Sequence, residues 1–243
     1  MPDKNKHSIV SCRKVTKTYR VGKVEVHALN GVDLDIAAGD FATLGGPSGS
    51  GKTTLLNMIG GLDTLTSGMI TLDGNHLGDL DKAQLTDLRL RKIGFIFQSY
   101  NLIPVLSATE NIEFTLQLMG MPEQERRDRS YAMLKEVGLE GMETRRPSYL
   151  SGGQQQRVAV ARALVTKPAI VLADEPTANL DSKTAEELIA LMSRLNRESG
   201  VTFLISTHDA RVIARSRRHI EMTDGQITSD TYQEEHAETS SHA

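Results

Sequence analysis

Gly46-Pro47-Ser48-Gly49-Ser50-Gly51-Lys52-Thr53 is a complete phosphate-binding P-loop, and its reading decides the fold. Such a loop turns successive backbone N–H groups toward phosphate oxygens, which needs dihedrals that glycine adopts without steric cost. A helix is expected to begin at Gly51-Lys52, so that its unpaired N–H groups and positive dipole end face the β-phosphate. Lys52 then brings a point charge to the β and γ oxygens, and the Thr53 hydroxyl is a ligand for Mg2+. Thr54, next on the same turn, completes the nucleotide-binding set. A Gly/Ser-rich turn that merely precedes a lysine would look similar. With glycine at ~7% of residues, however, a chance match in a chain of this length is on the order of one per cent. The flanks agree: Phe41-Ala42-Thr43-Leu44 leans apolar as a strand, and Thr53–Ile59 has helical apolar spacing. ATP or GTP is the expected ligand.

Outward from the loop, short apolar strands alternate with helical patterns, which indicates a largely parallel sheet. Upstream, residues 8–15 and 24–36 read as antiparallel strands around a turn at Arg20-Val21-Gly22-Lys23. Downstream come strand 69–72, a turn at Asp73-Gly74, a polar helix near 83–91, and the buried strand Ile93–Phe97 ending on Gln98. Residues 106–137 turn helical, with a break at Gly120-Met121-Pro122. A second block follows: helix 152–165, strand 169–173, helix 182–198, strand 201–206, a short helix near 209–214, strand 218–222 and a turn at Asp224-Gly225. The expected fold class is α/β: a P-loop core with a mostly parallel sheet, an antiparallel β subdomain, and a helical subdomain inserted at about 106–150. Residues 1–228 read as one domain, and the polar, acidic stretch Ser229–Ala243 as a disordered tail.

Bulk properties narrow the classes. A chain of 243 residues, 39% apolar, buries one large core. A net charge of −3 gives no basic footprint and argues against nucleic acid as a partner. Cys12 is the only cysteine, so no intrachain disulfide forms and a reducing compartment is expected. His7, His27, His76, His208, His219, His236 and His242 show no metal-ligand spacing. No apolar run is long enough to span a membrane, and residues 1–8 lack the apolar stretch of a signal peptide.

Two further stretches carry chemistry. Ala169-Ile170-Val171-Leu172-Ala173 is an apolar strand delivering Asp174 and Glu175 at its C-terminal end, where ligands bind open parallel sheets. Asp174 fits the acid that holds Mg2+, and Glu175 is placed to orient and deprotonate an attacking water. Acidic caps on a solvated strand end would give the same pair. Behind a P-loop and before Pro176-Thr177-Ala178-Asn179-Leu180-Asp181, the functional reading is the better one. Leu150-Ser151-Gly152-Gly153-Gln154 contains the S-x-x-Q pattern of a capping box. Two glycines in a first turn nonetheless cost ~2 kcal/mol against alanine, which a simple cap does not need. Bare N–H groups approached by a triphosphate would need them. The chain's own P-loop already holds the β and γ oxygens, so a partner subunit is expected to bring this second anion site.

The P-loop, the Leu150–Gln154 signature, the strand ending on Asp174 and the acid pair together resemble the ATP-binding subunit of an ABC transporter, over about residues 8–228. The resemblance implies that Tyr19 stacks on adenine and that Gln98 contacts Mg2+ and the lytic water. It further implies that Asp181 crosses the dimer interface and that His208 contacts the γ-phosphate. Ser151, Gly152, Gly153 and Gln154 would bind the nucleotide held by the other subunit. Asn57–Asp63 with Thr66-Ser67-Gly68, and Ile93–Gln98 with Asn101–Pro104, resemble the lipoprotein-release and macrolide-export group. Members of that group work with few-helix permeases. Gly45 departs from the family pattern, which usually has a bulky apolar residue there, and is expected to loosen the strand. Ala178 stands where serine is frequent.

The resemblance implies an ATPase motor: a homodimer at the cytoplasmic face of the inner (plasma) membrane, coupled to integral membrane permease subunits that extract or export a lipoprotein, peptide or drug. The alternative of the same class is a regulatory ATPase whose membrane partner controls cell-envelope hydrolases. A chromosome-maintenance ATPase would need a long coiled coil between P-loop and signature, and no sustained heptad occurs there. A translation-type protein would need two such cassettes, and one is present. The surface around Tyr100-Asn101-Leu102-Ile103-Pro104 and the start of helix 109–119 is expected to be the permease contact, because apolar Leu102, Ile103, Val105 and Leu106 follow Gln98 there; packing within the helical subdomain would explain them equally.

Overall fold

A computed structural model describes residues 8–233 of the chain. Strands β1 (Ser8–Val21) and β2 (Val24–Ala37) form an antiparallel hairpin, turning at Gly22-Lys23. With β4 (Ser67–Leu72) and the two-residue β5 (Asn75–His76) they make an antiparallel sheet of order β2-β1-β4-β5. This is the expected β subdomain. The second sheet contains β3 (Phe41–Gly45), β6 (Ile93–Phe97), β7 (Ile170–Asp174), β8 (Thr202–Ser206), β9 (Arg218–Thr223) and β10 (Gln226–Tyr232), in the order β10-β9-β3-β8-β7-β6. All its neighbours pair in parallel except β10, which is antiparallel to β9.

The parallel strands are apolar on both faces because both are covered. Along β7, Val171 and Ala173 join one core cluster and Ile170 and Leu172 the other, and β8 alternates likewise through Phe203, Leu204 and Ile205. One cluster holds α1 (Lys52–Ile59) against the antiparallel sheet through Leu55, Leu56, Met58 and Ile59, while α2 (Lys82–Lys92) adds Leu88. The other gathers α5 (Gly152–Leu164) and α6 (Ser182–Ser199) with the two helices of the insertion, α3 (Ala108–Leu118) and α4 (Glu123–Glu136). The break at Gly120-Met121-Pro122 falls between α3 and α4, as their spacing predicts. Ile112, Leu116, Leu134, Val137 and Leu139 of the insertion share a cluster with Phe41, Val171 and Phe203 of the sheet. The helical segment is therefore packed onto the core.

Two expectations need correction. Ser229–Tyr232, read as the start of a disordered tail, belong to β10. Arg218 on β9 reaches across to both carboxylate oxygens of Asp230 at 2.8 and 2.7 Å, and it also pairs with Asp40 at 3.1 Å. A buried guanidinium needs such partners, so this pair fixes an otherwise exposed edge strand. The rest of the expected tail, 234–243, lies outside the described residues. Gly45 does not leave a loose strand either. It is buried opposite Glu221 of β9, and a Cβ there would collide with the His219 ring and the Glu221 carboxylate. His219 bonds Thr43 Oγ1 at 3.0 Å and Glu221 at 2.8 Å, filling the space a larger residue would take.

Candidate active site

Strand register builds the site. Phe97, Asp174, Ser206 and Leu44 are neighbours across β6, β7, β8 and β3, so four strands end at one level. The P-loop leaves β3 at that level and enters α1. Gly46 takes φ 130° and Gly51 φ 103°, both in the region that favours glycine, and a Cβ at either would strike backbone carbonyls, of Met222 and Ala28 respectively. The loop is thus wedged between β2 and the β9–β10 turn, and the Gly225 N–H donates to Ser50 O at 3.0 Å. Gly51 caps α1 without a side-chain bond, which leaves the first-turn N–H groups of α1 for a ligand. Lys52 curls back, its Nζ donating to Gly46 O at 2.7 Å and Pro47 O at 2.9 Å, so the ammonium sits at the concave side of the loop.

The remaining catalytic candidates converge there. Thr53 Oγ1 donates to Asp174 Oδ1 at 3.1 Å, and Ser206 donates to the same oxygen. Glu175 has φ 46°, unusual for a side-chain-bearing residue, and is held by its N–H to Ser206 O at 3.0 Å. His208, just beyond β8, presents Nδ1 to Glu175 Oε1 at 2.8 Å. Gln98 follows β6 with its side chain exposed, and its carbonyl accepts from Asn179 Nδ2 at 2.9 Å. Tyr19, half-buried on β1, donates its hydroxyl to Asp63 at 2.9 Å.

The signature lies elsewhere. Ser151 caps α5, accepting from the Gln154 N–H at 3.3 Å while Gln154 Oε1 accepts from the Ser151 N–H at 2.9 Å. The capping box is therefore present, and no hydrogen bond joins it to residues 46–53 among the described residues. The glycines have a local reason too, which corrects the argument that a cap would not need them. A Cβ at Gly153 would collide with Thr184 Cγ2, and one at Gly152 would come within 2.8 Å of the Tyr100 hydroxyl. Asp181, expected at a dimer interface, caps α6, accepting from Thr184 N at 3.0 Å and Thr184 Oγ1 at 2.6 Å. Those bonds hold its carboxyl below the usual carboxylate range.

Several residues tie these parts together without having been singled out in the sequence. Gln156, fully buried on α5, donates to Pro176 O at 2.7 Å beyond the acid pair and to Phe97 O at 3.4 Å before Gln98. Arg162 donates to Asn101 O at 2.6 Å and Tyr100 O at 2.9 Å, where both residues have positive φ. Asn111 of α3 accepts from Ile103 N at 2.8 Å and donates to the carbonyls of Ile103, Leu106 and Ser107. Their sequence signal is a polar residue at a core position of a helix, which periodicity alone does not flag. Leu102 packs against the core, so it is not the surface group the sequence allowed, whereas Val105 is 68% exposed.

Residues 29–178 match the ABC transporter family. The chain belongs to that family. It is 47% identical over 221 residues to the macrolide export ATP-binding/permease protein MacB of Syntrophobacter fumaroxidans, a match that covers 90% of the chain and 31% of that protein. It thus spans about a third of the length of the MacB relatives it matches. It is also 47% identical over 223 residues to the ABC transporter ATP-binding protein MJ0796 of Methanocaldococcus jannaschii, covering 90% of this chain and 95% of that one. The structure of a dimeric post-hydrolysis state of MJ0796 bound to ADP and Pi superposes with a TM-score of 0.85 at 46% identity, covering 92% of this chain and 98% of that one. CbiO1 of Clostridium perfringens, part of the ABC transporter complex cbiONQ, gives 0.84 at 30% identity, covering 93% and 88%. The chain therefore carries the ATP-binding, ATP-hydrolysing cassette of the ABC transporter family. Its donor set fits Mg2+: one hydroxyl and one carboxylate at the loop, with phosphates to supply further oxygens, is how this ion is commonly held. Among the described residues no helix is long and apolar enough to cross a membrane.

Proposed function

We propose that the chain is the ATP-hydrolysing motor subunit of an ABC exporter, working as a homodimer on the cytoplasmic face of the plasma membrane and coupled to integral membrane permease subunits. The observation that carries this reading is the meeting of Glu175 and His208 with Thr53 and Asp174 at the strand ends beside the P-loop. In it, the P-loop N–H groups and Lys52 bind the triphosphate, Thr53 and Asp174 hold Mg2+, and Glu175 accepts a proton from the attacking water. Bound Mg2+ neutralises charge on the phosphate oxygens. The carboxylate of Glu175 only accepts, so the His208 Nδ1 carries its proton in their contact. For His208 to donate to the γ-phosphate through Nε2, the ring must hold a second proton or part from Glu175. Gln98, exposed just beyond β6 on the neighbouring strand, is assigned in this reading to Mg2+ and the lytic water. Ser151–Gln154 meet the nucleotide of the other subunit, a reading supported by their distance in the bonding network from their own P-loop and by the dimeric state of MJ0796.

Docking of the permease is assigned to the loop after Gln98, where Val105 is exposed, and to the adjoining groove of about 370 Å3 that Asn101 of this loop lines together with Leu62, Phe95, Phe97, Thr115 and Arg162. The exported cargo is a lipoprotein, peptide or drug, in line with the macrolide-export name of the MacB relatives. Replacing Glu175 by glutamine tests the catalytic assignment. Glu175→Gln should bind ATP with near-normal affinity and hydrolyse it 10²- to 10⁴-fold more slowly, roughly the value of a general base. A variant retaining more than about a tenth of the wild-type rate would remove Glu175 from that role.

A further inference from the structure

We propose that Lys17 and Asp63 are positioning residues for the base-binding half of the nucleotide site, locking the Tyr19 ring to the turn that follows α1 and so fixing its distance from the P-loop. The proposal rests on reading Tyr19 as the adenine-stacking residue. Tyr19 Oη donates to Asp63 Oδ2 at 2.9 Å, and Asp63 Oδ1 accepts from Lys17 Nζ at 2.9 Å and from the Thr64 N–H at 2.7 Å. Lys17 Nζ also donates to Thr64 O at 2.7 Å and lies 4.7 Å from the centre of the Tyr19 ring. Residues two apart on β1 share a face, which brings the ammonium and the ring together.

A lysine whose side chain is only 9% exposed is costly to keep charged unless paired, and this one has a carboxylate, a carbonyl and an aromatic face. Burial pushes the Asp63 carboxyl up, but Lys17, the Thr64 N–H and Tyr19 together bring it below the ordinary carboxylate range. The acceptor facing Tyr19 is therefore a full carboxylate. Burial, and with it the Asp63 carboxylate that accepts the hydroxyl proton, raises the Tyr19 phenol above its ordinary range, so the ring stays a donor to the turn after α1. The backbone is stitched along the same seam: Thr18 N donates to Thr66 Oγ1 at 2.9 Å and Thr66 N to Thr16 O at 3.0 Å. The ammonium against the ring also draws density from it, which favours stacking of a neutral purine.

Binding of ATP and of inorganic tripolyphosphate to purified chains, followed by calorimetry, separates positioning from folding. Asp63→Asn and Lys17→Met should weaken ATP about tenfold, equivalent to ~1.4 kcal/mol, and leave tripolyphosphate within about twofold. Tyr19→Phe, which keeps the ring and loses the anchor, should match Asp63→Asn, and the double variant should lose no more than either alone. Equal losses for ATP and tripolyphosphate would make the pair merely structural and overturn the proposal. Loss of ATP affinity in Tyr19→Ala with none in Asp63→Asn or Lys17→Met would overturn it while leaving the role of Tyr19 intact. Unchanged ATP affinity in Tyr19→Ala would overturn the reading beneath it.

Discussion

Glu175 occupies the left-handed backbone region at φ 46°, a conformation that costs a side-chain-bearing residue roughly 1–2 kcal/mol. The N–H bond to Ser206 O and the His208 contact hold it there, which aims the carboxylate across the strand ends. Gly153 shows a different constraint, since its missing Cβ makes room for Thr184 Cγ2. Gly153→Ala should destabilise the chain by ~1–3 kcal/mol through overpacking. Adding Thr184→Ser removes the methyl but keeps the hydroxyl for Asp181, so the melting temperature of the double variant should return to that of the parent. Its ATPase should stay low if the bare first turn of α5 is also what the partner's nucleotide approaches. Recovery of turnover together with stability would show that Gly153 serves packing alone. In the sequence the signature glycines point toward a ligand. The packing reason is invisible because Thr184 stands a whole strand and loop away in the chain. Lys17 and Asp63 escape notice for the same cause.

At the scale of elements, what the sequence makes legible is what local chemistry dictates. β3, the P-loop and α1 carry a motif with one backbone solution, and β7 and β8 are unbroken apolar runs. β10 carries no such signal, since nearly all its residues are exposed and it is held by the Arg218–Asp230 pair and by the β9 ladder. The loop after Gln98 shows the limit from the other side. Its apolar residues read as one surface in the sequence, yet Asn111 and Arg162 fold the loop so that Leu102 turns inward and Val105 outward. A charge at the exposed position tests the docking surface: Val105→Glu should leave the ATPase of the isolated chain within about twofold, as isolated surface changes do. It should reduce the fraction that sediments with membranes containing the partner permease. Undiminished sedimentation would move the docking surface away from this loop.

For the whole molecule, two packed clusters on either face of one sheet make the nucleotide half and the helical half parts of a single body. Gln156 links the strand end before Gln98 to the loop after Glu175, so a displacement of the helical half is felt at both. Such a body reaches its own P-loop from one side only, and the signature at the start of α5 has no bond to it among the described residues. The central claim is therefore that ATP is closed between two copies of this chain. Gel filtration of Glu175→Gln with ATP tests it most directly, with ATP affinity measured on dilute chains in parallel. Glu175→Gln should elute at twice the monomer mass when ATP is present. Adding Ser151→Arg should return it to monomer while ATP affinity stays near normal, and Lys52→Ala should lose the affinity itself. A Ser151→Arg chain that still dimerises with ATP, or that loses ATP affinity as a dilute monomer to the extent Lys52→Ala does, would contradict the account.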